Sequence, residues 1–284
     1  MKRTWKGYLF VGPLLAGFLL FYVFPFGQVV WDSLSQGTGK SQLFVGLENY
    51  TRMFQNQMFL AAFGNTLRFL GIGLPVLLLL AYALALFLKG WAQRFQVLRA
   101  VFLLPYVMPV AGTVLLIDLL FSETGLVNRV LLALGLPLAD WLQSPAAFWV
   151  MLILYLWKST GYAVVLLLAG LMAIPPDHYA VAQVEGAGWW QAFRYITMPQ
   201  MWYALFIAFV FSLINAFKCF REIFLVGGEH PHPSVYMLQH FINNSFENLN
   251  YQRLSVASVL LFLVLTLVLG VCALWVLRKE AARS

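Results

Sequence analysis

Six apolar stretches leave this chain one kind of fold. They run near Tyr8 to Val30, Phe69 to Leu88, Val101 to Phe121, Ala146 to Leu171, Met201 to Phe217 and Leu254 to Leu277. Each is long enough to cross, as a helix, a hydrocarbon core about 30 Å thick. The fold class expected is therefore all-α: a polytopic membrane protein with six transmembrane helices, the whole of residues 1–284 forming one transmembrane domain.

Composition excludes the alternatives. With 62% hydrophobic and 10% charged residues, the chain cannot surround a core with a wet polar surface. Its formal charge of +7 could suggest nucleic acid, but the basic residues stand at span ends, where they meet lipid headgroups and set orientation. Membrane lipid is the expected partner, not nucleic acid. With the N-terminus inside, the inner sections hold Lys2, Arg3 and Lys6, then Lys89, Arg94 and Arg99, then Arg194, then Arg278, Lys279 and Arg283. Most acids, Asp32, Glu48, Glu123, Asp140, Glu222, Glu229 and Glu247, fall in the outer sections. The positive-inside rule puts both termini in the cytoplasm. No cleavable signal peptide is expected, because the first apolar run is long enough to remain as a span. Cys219 and Cys272 lie in or beside apolar spans and read as small core residues rather than a disulfide framework.

Several local patterns carry little chemistry. GTGKS at 37–41 resembles the end of a phosphate-binding loop, but Leu34 stands where a glycine is needed and no buried strand precedes it, so a solvated turn is expected. His230, His232 and His240 share a section with Glu229, but the His-Pro-His spacing suits no closed site, so no metal is expected. FVGLENY at 44–50 reads as a turn, Asn65 as a helix start, and the sixth span as a plain packed helix.

Polar groups inside the spans are the candidates for a substrate path. Lys158 lies deep in the fourth span, where a lone lysine costs about 2.5–3.5 kcal/mol and should face a cavity or a partner. Tyr155 and Thr160 stand beside it, and Asn215 in the fifth span can bind a hydroxylated solute or join two helices. Pro105 and Pro109 should kink the third span and free carbonyls that neighbouring helices or a cavity must satisfy.

Between the fourth and fifth spans lies a polar insert, residues 172–199. Pro175 and Pro176 end the preceding span, and Pro176 suits the first turn of a new helix, with Asp177 at its positive end. Gly186 and Gly188 must end that helix, since glycine is a poor helix interior and a good left-handed terminator. A second short helix, Trp189 to about Thr197, should lead to Pro199. The expected product is helix, glycine corner, helix, beside the membrane on the cytoplasmic side.

That insert, IPPDHYAVAQVEGAGWWQAFRYITMP, resembles the cytoplasmic loop of ABC importer permeases, whose pattern is Glu-Ala-Ala, three residues to a glycine, then Ile-x-Leu-Pro. Gly186 falls on the family glycine, Glu185 on an acidic position before it, and Ile196, Met198 and Pro199 on the ending. Ala180, Val181 and Ala182 stand where Glu-Ala-Ala is usual. FVGLENY, GNTL before the second span, LLPYVMPV, GLVN at 125–128, LAGLMAIP at 168–175 and FREIFLVGG at 220–228 are similar to the carbohydrate-importing permeases of the maltose and glycerol-phosphate type, the MalF-like partner rather than the MalG-like one.

The resemblance implies the type I importer permease fold, with a core of about 61–278 and a coupling helix in the 172–199 loop. Asp177, Tyr179, Ala180, Ala182, Glu185, Gly186, Ala187 and Pro199 would make up the ATPase-coupling surface. It further implies a multi-pass location in the inner membrane of a prokaryote, carriage of a sugar or related polyol, and no catalysis by this chain. The partners implied are a MalG-like permease, two ATPase subunits holding ATP and Mg, and an extracytoplasmic solute-binding protein. Two other classes are weighed. A self-sufficient secondary transporter should show acidic or histidine relays and an internal repeat, and a membrane enzyme should cluster His, Asp or Glu at one depth. Neither pattern is visible.

Overall fold

A computed structural model describes residues 4–37, 41–90 and 96–281, without side-chain detail for 4–9, 96–99 and 280–281. Lys2, Arg3, Arg94, Arg283, the middle of GTGKS and the side chains of Lys6 and Arg99 lie outside the described residues.

In chain order, α1 spans Thr4–Phe18, α2 Phe24–Ser33, β1 Ser35–Gln36, β2 Leu43–Phe44, α3 Glu48–Phe54 and α4 Gln57–Lys89. There follow α5 Gln96–Val107, α6 Val110–Phe121, α7 Leu126–Ala133, α8 Ala147–Met172, α9 Pro176–Val184, α10 Trp189–Ala192 and α11 Met198–Gln200. The last elements are α12 Trp202–Lys218, α13 Phe220–Gly227, α14 Leu238–Glu247 and α15 Tyr251–Ala281. Among the described residues six segments are long and apolar enough to span a membrane; five overlie the expected runs, while the third is Val110–Ala133, shifted toward the C-terminus.

Two π-helical turns share one cause. Leu19–Val23 ends two residues before Pro25, and Phe193–Thr197 ends two residues before Pro199. A proline has no N–H for the carbonyl four residues back and its ring crowds that carbonyl. Widening the turn lets the helix continue, with Phe24 N–H donating to Leu19 O and Met198 N–H to Phe193 O.

The chain divides into two compact units, residues 1–62 with 241–267, and residues 63–240 with 268–284. In the first, β1 and β2 pair antiparallel, Ser35 opposite Phe44. Asn49 of the FVGLENY stretch fastens the end of α2, donating to Ser33 O at 3.1 Å and Ser35 O at 2.8 Å. Ser33 Oγ meets Tyr50 Oη at 2.8 Å, and Phe26 packs on Phe262 with centroids 4.6 Å apart. The apolar face of the first span remains exposed from Phe10 to Phe24.

The second unit is built round α8, apolar on every side and buried through Phe148, Met151, Tyr155, Val164, Leu167 and Leu171. It packs against α5 and α12. Gly161 makes the α5 contact possible, because a Cβ there would overlap the carbonyl of Phe102. Asn128 of GLVN ties the 122–141 segment together: its Nδ2 donates to Glu123 O and Ala139 O at 3.0 Å, and its Oδ1 accepts from Trp141 Nε1 at 3.0 Å. His240 is fully buried with its ring edge-on to Phe220 at 4.7 Å, and its Nδ1 accepts the Met237 N–H at 3.2 Å. Burial pushes its pKa down to about 4. Cys219 and Cys272 are free thiols.

Several expectations are corrected. The third span is not one kinked helix. Pro105 sits inside α5, whereas Pro109, extended at ψ 148°, separates α5 from α6. Asn65 does not start a helix: α4 begins at Gln57, where Asn56 Oδ1 accepts the Phe59 N–H at 3.0 Å, while Asn65 donates to Pro233 O and Tyr236 O. The fifth span does not stop at Phe217, since hydrogen bonds from Cys219 N–H to Asn215 O and from Ile223 N–H to Cys219 O carry the helix into α13. Glu222 consequently leaves the outer acids and is buried. The sixth span is packed only in part: Ser255, Val256, Ala257 and Val259 are buried, whereas Phe262, Leu263, Leu267 and Val271 are exposed.

Candidate functional site

The 172–199 insert forms the expected helix, corner and helix. Pro175 is extended at ψ 132°, Pro176 opens α9, and Asp177 occupies its first turn. At the other end Gly186 takes φ +78°. That conformation lets Ala187 N–H donate to Ala182 O at 2.9 Å and Gly186 N–H to Gln183 O at 3.1 Å. This is the paired closure by which a left-handed residue satisfies the last carbonyls of a helix. Ala182, Gly186 and Ala187 are thus one structural device, with Glu185 as the last turn before it. The second helix differs from expectation: it runs unbroken from Trp189 through the π turn and Pro199 to Gln200, and Gln191 Oε1 accepts the Gly188 N–H at its start.

The exposed side of this loop carries large apolar residues among its polar ones. Val181, Val184, Trp189, Trp190 and Tyr195 are exposed, Val184 to 90%. Asp177, Ala180 and Glu185 are exposed beside them, and Pro199 is half-buried. Tyr179 behaves differently, turning inward. Its Oη meets Thr197 Oγ1 at 2.9 Å, and Lys89 Nζ donates to it at 3.1 Å while lying 4.2 Å from the ring centroid. Tyr179 therefore links α9 both to the end of α4 and to the turn that enters the fifth span. A cleft of about 400 Å³ opens there between Lys89, Tyr179, Trp189 and Phe193. Lys89 and Thr197 were not legible as partners of Tyr179, since the contacts join residues 90 and 18 positions apart.

A second feature lies among the spans. Tyr155, Lys158 and Asn215 line one cavity of about 290 Å³, together with Tyr106, Lys218 and Glu222. Lys158 Nζ forms an ion pair with Glu222 Oε1 at 2.6 Å and approaches Thr113 Oγ1 at 3.3 Å. Tyr155 is buried and donates to Ser212 O at 2.9 Å, fastening α8 to α12. Asn215 Nδ2 and Glu222 Oε2 are buried without hydrogen-bond partners among the described residues. Thr160 is buried outside this cavity, against expectation, because it projects from another side of α8. Glu222, Lys218 and Arg221 were missed as cavity residues. The signal was the helical spacing that runs from Asn215 to Lys218 and from Lys218 to Arg221 and Glu222, concealed by ending the span too early. Among the described residues no three His, Cys, Asp or Glu side chains converge as metal ligands do. His232 Nδ1 instead accepts the Ser234 N–H.

Comparison with known proteins agrees with this architecture. Residues 77–279 match the family model for binding-protein-dependent transport system inner membrane components. The chain is 31% identical over 262 residues to the trehalose/maltose transport system permease protein MalF of Thermococcus litoralis, covering 91% of this chain and 89% of that one. It is also 31% identical to the sn-glycerol-3-phosphate transport system permease protein UgpA of Yersinia pseudotuberculosis, covering 92% and 90%. Its fold is similar to that of a chain in a bacterial ABC transporter involved in the import of the acidic polysaccharide alginate, with a TM-score of 0.80, 23% identity, and 98% and 96% coverage. Six apolar helices, the loop between the fourth and fifth, and relatives matched along nine-tenths of their length lead to one assignment: the chain belongs to the binding-protein-dependent transport system inner membrane components, the multi-pass permease subunits of ABC importers.

Proposed function

We propose that this chain carries a sugar or related polyol across the inner membrane as the MalF-like half of an ABC importer, with ATP and Mg held by a separate ATPase. The residues 1–284 act as a single transmembrane domain with its core over about 61–278, and both termini and the 172–199 loop face the cytoplasm. The observation that carries this reading is the loop itself: a capped nine-residue helix with Val181 and Val184 exposed on it, standing between two spans. An apolar surface of that kind needs a cleft to enter.

Coupling follows from the connections of the loop. Asp177, Ala180, Ala182, Glu185, Gly186 and Ala187 present or shape the docking helix, while Tyr179 and Pro199 transmit its displacement. Tyr179 does so through Lys89 to α4 and through Thr197 toward α12. Movement of the ATPase pair would then shift the spans that line the cavity of Tyr155, Lys158 and Asn215, turning it from one side of the membrane to the other. A MalG-like permease completes the path, and an external solute-binding protein delivers the cargo. The chain performs no chemistry of its own.

Purification of the tagged chain from its host in mild detergent tests this. A second six-span permease and an ATP-binding subunit are expected in the preparation, and a cysteine replacing Val184 should cross-link to the ATPase. A self-sufficient carrier is the second reading, favoured by the buried Lys158 and Glu222 pair, since such groups serve secondary transporters. Recovery of the chain alone, active in vesicles without ATP, would establish that reading instead.

A further inference from the structure

The cavity in the spans has an unbalanced charge. Asn215, Lys218, Cys219 and Glu222 recur at three- and four-residue spacing along α12 and α13, so they share one helix face. Glu222 neutralises Lys158 at 2.6 Å. Lys218 and Arg221 line the same cavity from exposed positions at its open side, and neither has an acidic partner among the described residues. Buried Asn215 Nδ2 adds a donor without an acceptor, and buried Glu222 Oε2 is an acceptor without a donor. The uncommitted groups are thus two cations and an amide N–H at one end of the chemistry, and one carboxylate oxygen at the other.

A neutral sugar can use Glu222 Oε2 through a hydroxyl but gains no charge-assisted contact from the two exposed cations. An anionic group accepts charge-assisted hydrogen bonds from lysine and arginine, with the planar guanidinium suited to carboxylate and phosphate. A solute with both an anionic group and hydroxyls matches these four groups. The volume of about 290 Å³ stands at the small end of ligand pockets and suits a single ring or short polyol.

We propose that this cavity selects an anionic, hydroxylated solute, an acidic sugar or a phosphorylated polyol, with Lys218 and Arg221 on its anionic group and Glu222 Oε2 on a hydroxyl. The proposal rests on reading the cavity as part of the solute path, and it adds the charge class of the cargo. A lipid phosphate offers the same anionic chemistry, so the test separates the two sources.

The permease complex, purified from its host without the solute-binding protein, is placed in nanodiscs and dialysed at low ionic strength against labelled glucuronate, sn-glycerol 3-phosphate or glucose. Both anions should bind about tenfold or more tightly than glucose. K218Q/R221Q should erase that preference, lowering anion affinity about tenfold or more, and each single substitution should erase part of it. Binding should be equal in phosphatidylcholine discs and in discs containing phosphatidylglycerol. Equal affinity for glucose and the anions, retention of none of the three, or a preference that survives K218Q/R221Q overturns the proposal. Loss of anion binding in phosphatidylglycerol discs overturns it too, assigning the cations to lipid. Failure of the importer reading would show separately, as absence of an ATPase from the preparation before any solute is added; the titration then runs on the chain alone.

Discussion

Lys158 Nζ of α8 lies 2.6 Å from Glu222 Oε1 of α13, and this pairing makes a charged lysine tolerable within the fourth span. Both side chains are largely buried, at 16% and 5% exposure. Removing one partner of such a pair leaves an uncompensated charge, which costs about 3 kcal/mol or more, whereas removing both can be nearly neutral. Glu222→Leu and Lys158→Met should each lower the thermal unfolding temperature of the purified protein, and the double variant should recover most of the loss. Additive losses would show that the two charges do not stabilise each other.

The second prediction concerns the loop. Gly186 sits at φ +78° with open space where a Cβ would point, so any cost of substitution is one of backbone conformation alone. Gly186→Val should strain or unwind the corner by about 1–3 kcal/mol, while Gly186→Asn, which tolerates the left-handed region, should be milder. Measured in vesicles with the whole importer, Val should uncouple ATP hydrolysis from uptake while the protein still inserts. Unchanged coupling would remove the loop's geometry from the mechanism.

At Gly161 the outcome is steric. A Cβ there overlaps the Phe102 carbonyl, which is backbone and cannot swing away, whereas at Gly270 no atom lies within 4 Å of the place a methyl group would take. Gly161→Ala should destabilise by about 1–3 kcal/mol through forced separation of α5 and α8, and Gly270→Ala should be neutral or slightly stabilising. Parallel melting curves in detergent decide the comparison.

His240 should make stability depend on pH. Burial holds it near 4 in the folded protein, against 6.5 for an ordinary histidine. Between those values the unfolded chain binds a proton that the folded chain excludes, so stability falls as pH drops from about 6.5 to about 4 and is unaffected by this group above that window. The full effect is on the order of 3 kcal/mol. His240→Phe should flatten the acid side of a melting-temperature profile, and an unchanged slope would assign it to other groups.

Much of this protein is written in local pattern. Apolar runs longer than a bilayer is thick dictate helices wherever they fall, and the sequence Pro175-Pro176 to Gly186 determines its own helix, because proline fixes φ and glycine admits a positive φ without reference to distant residues. Even the π turn before Pro199 has a cause two residues away. Boundaries were less legible: Asn65 resembles a cap, yet Asn56 serves as one, since either asparagine can accept a helix N–H and packing selects between them. What only the tertiary structure decided is which polar groups meet. Lys158 needed a partner on grounds of desolvation alone, but the residue that supplies it lies 64 positions later. That choice depends on how far α8 and α13 slide past each other, and helical periodicity specifies the face of a helix without its depth beside a neighbour.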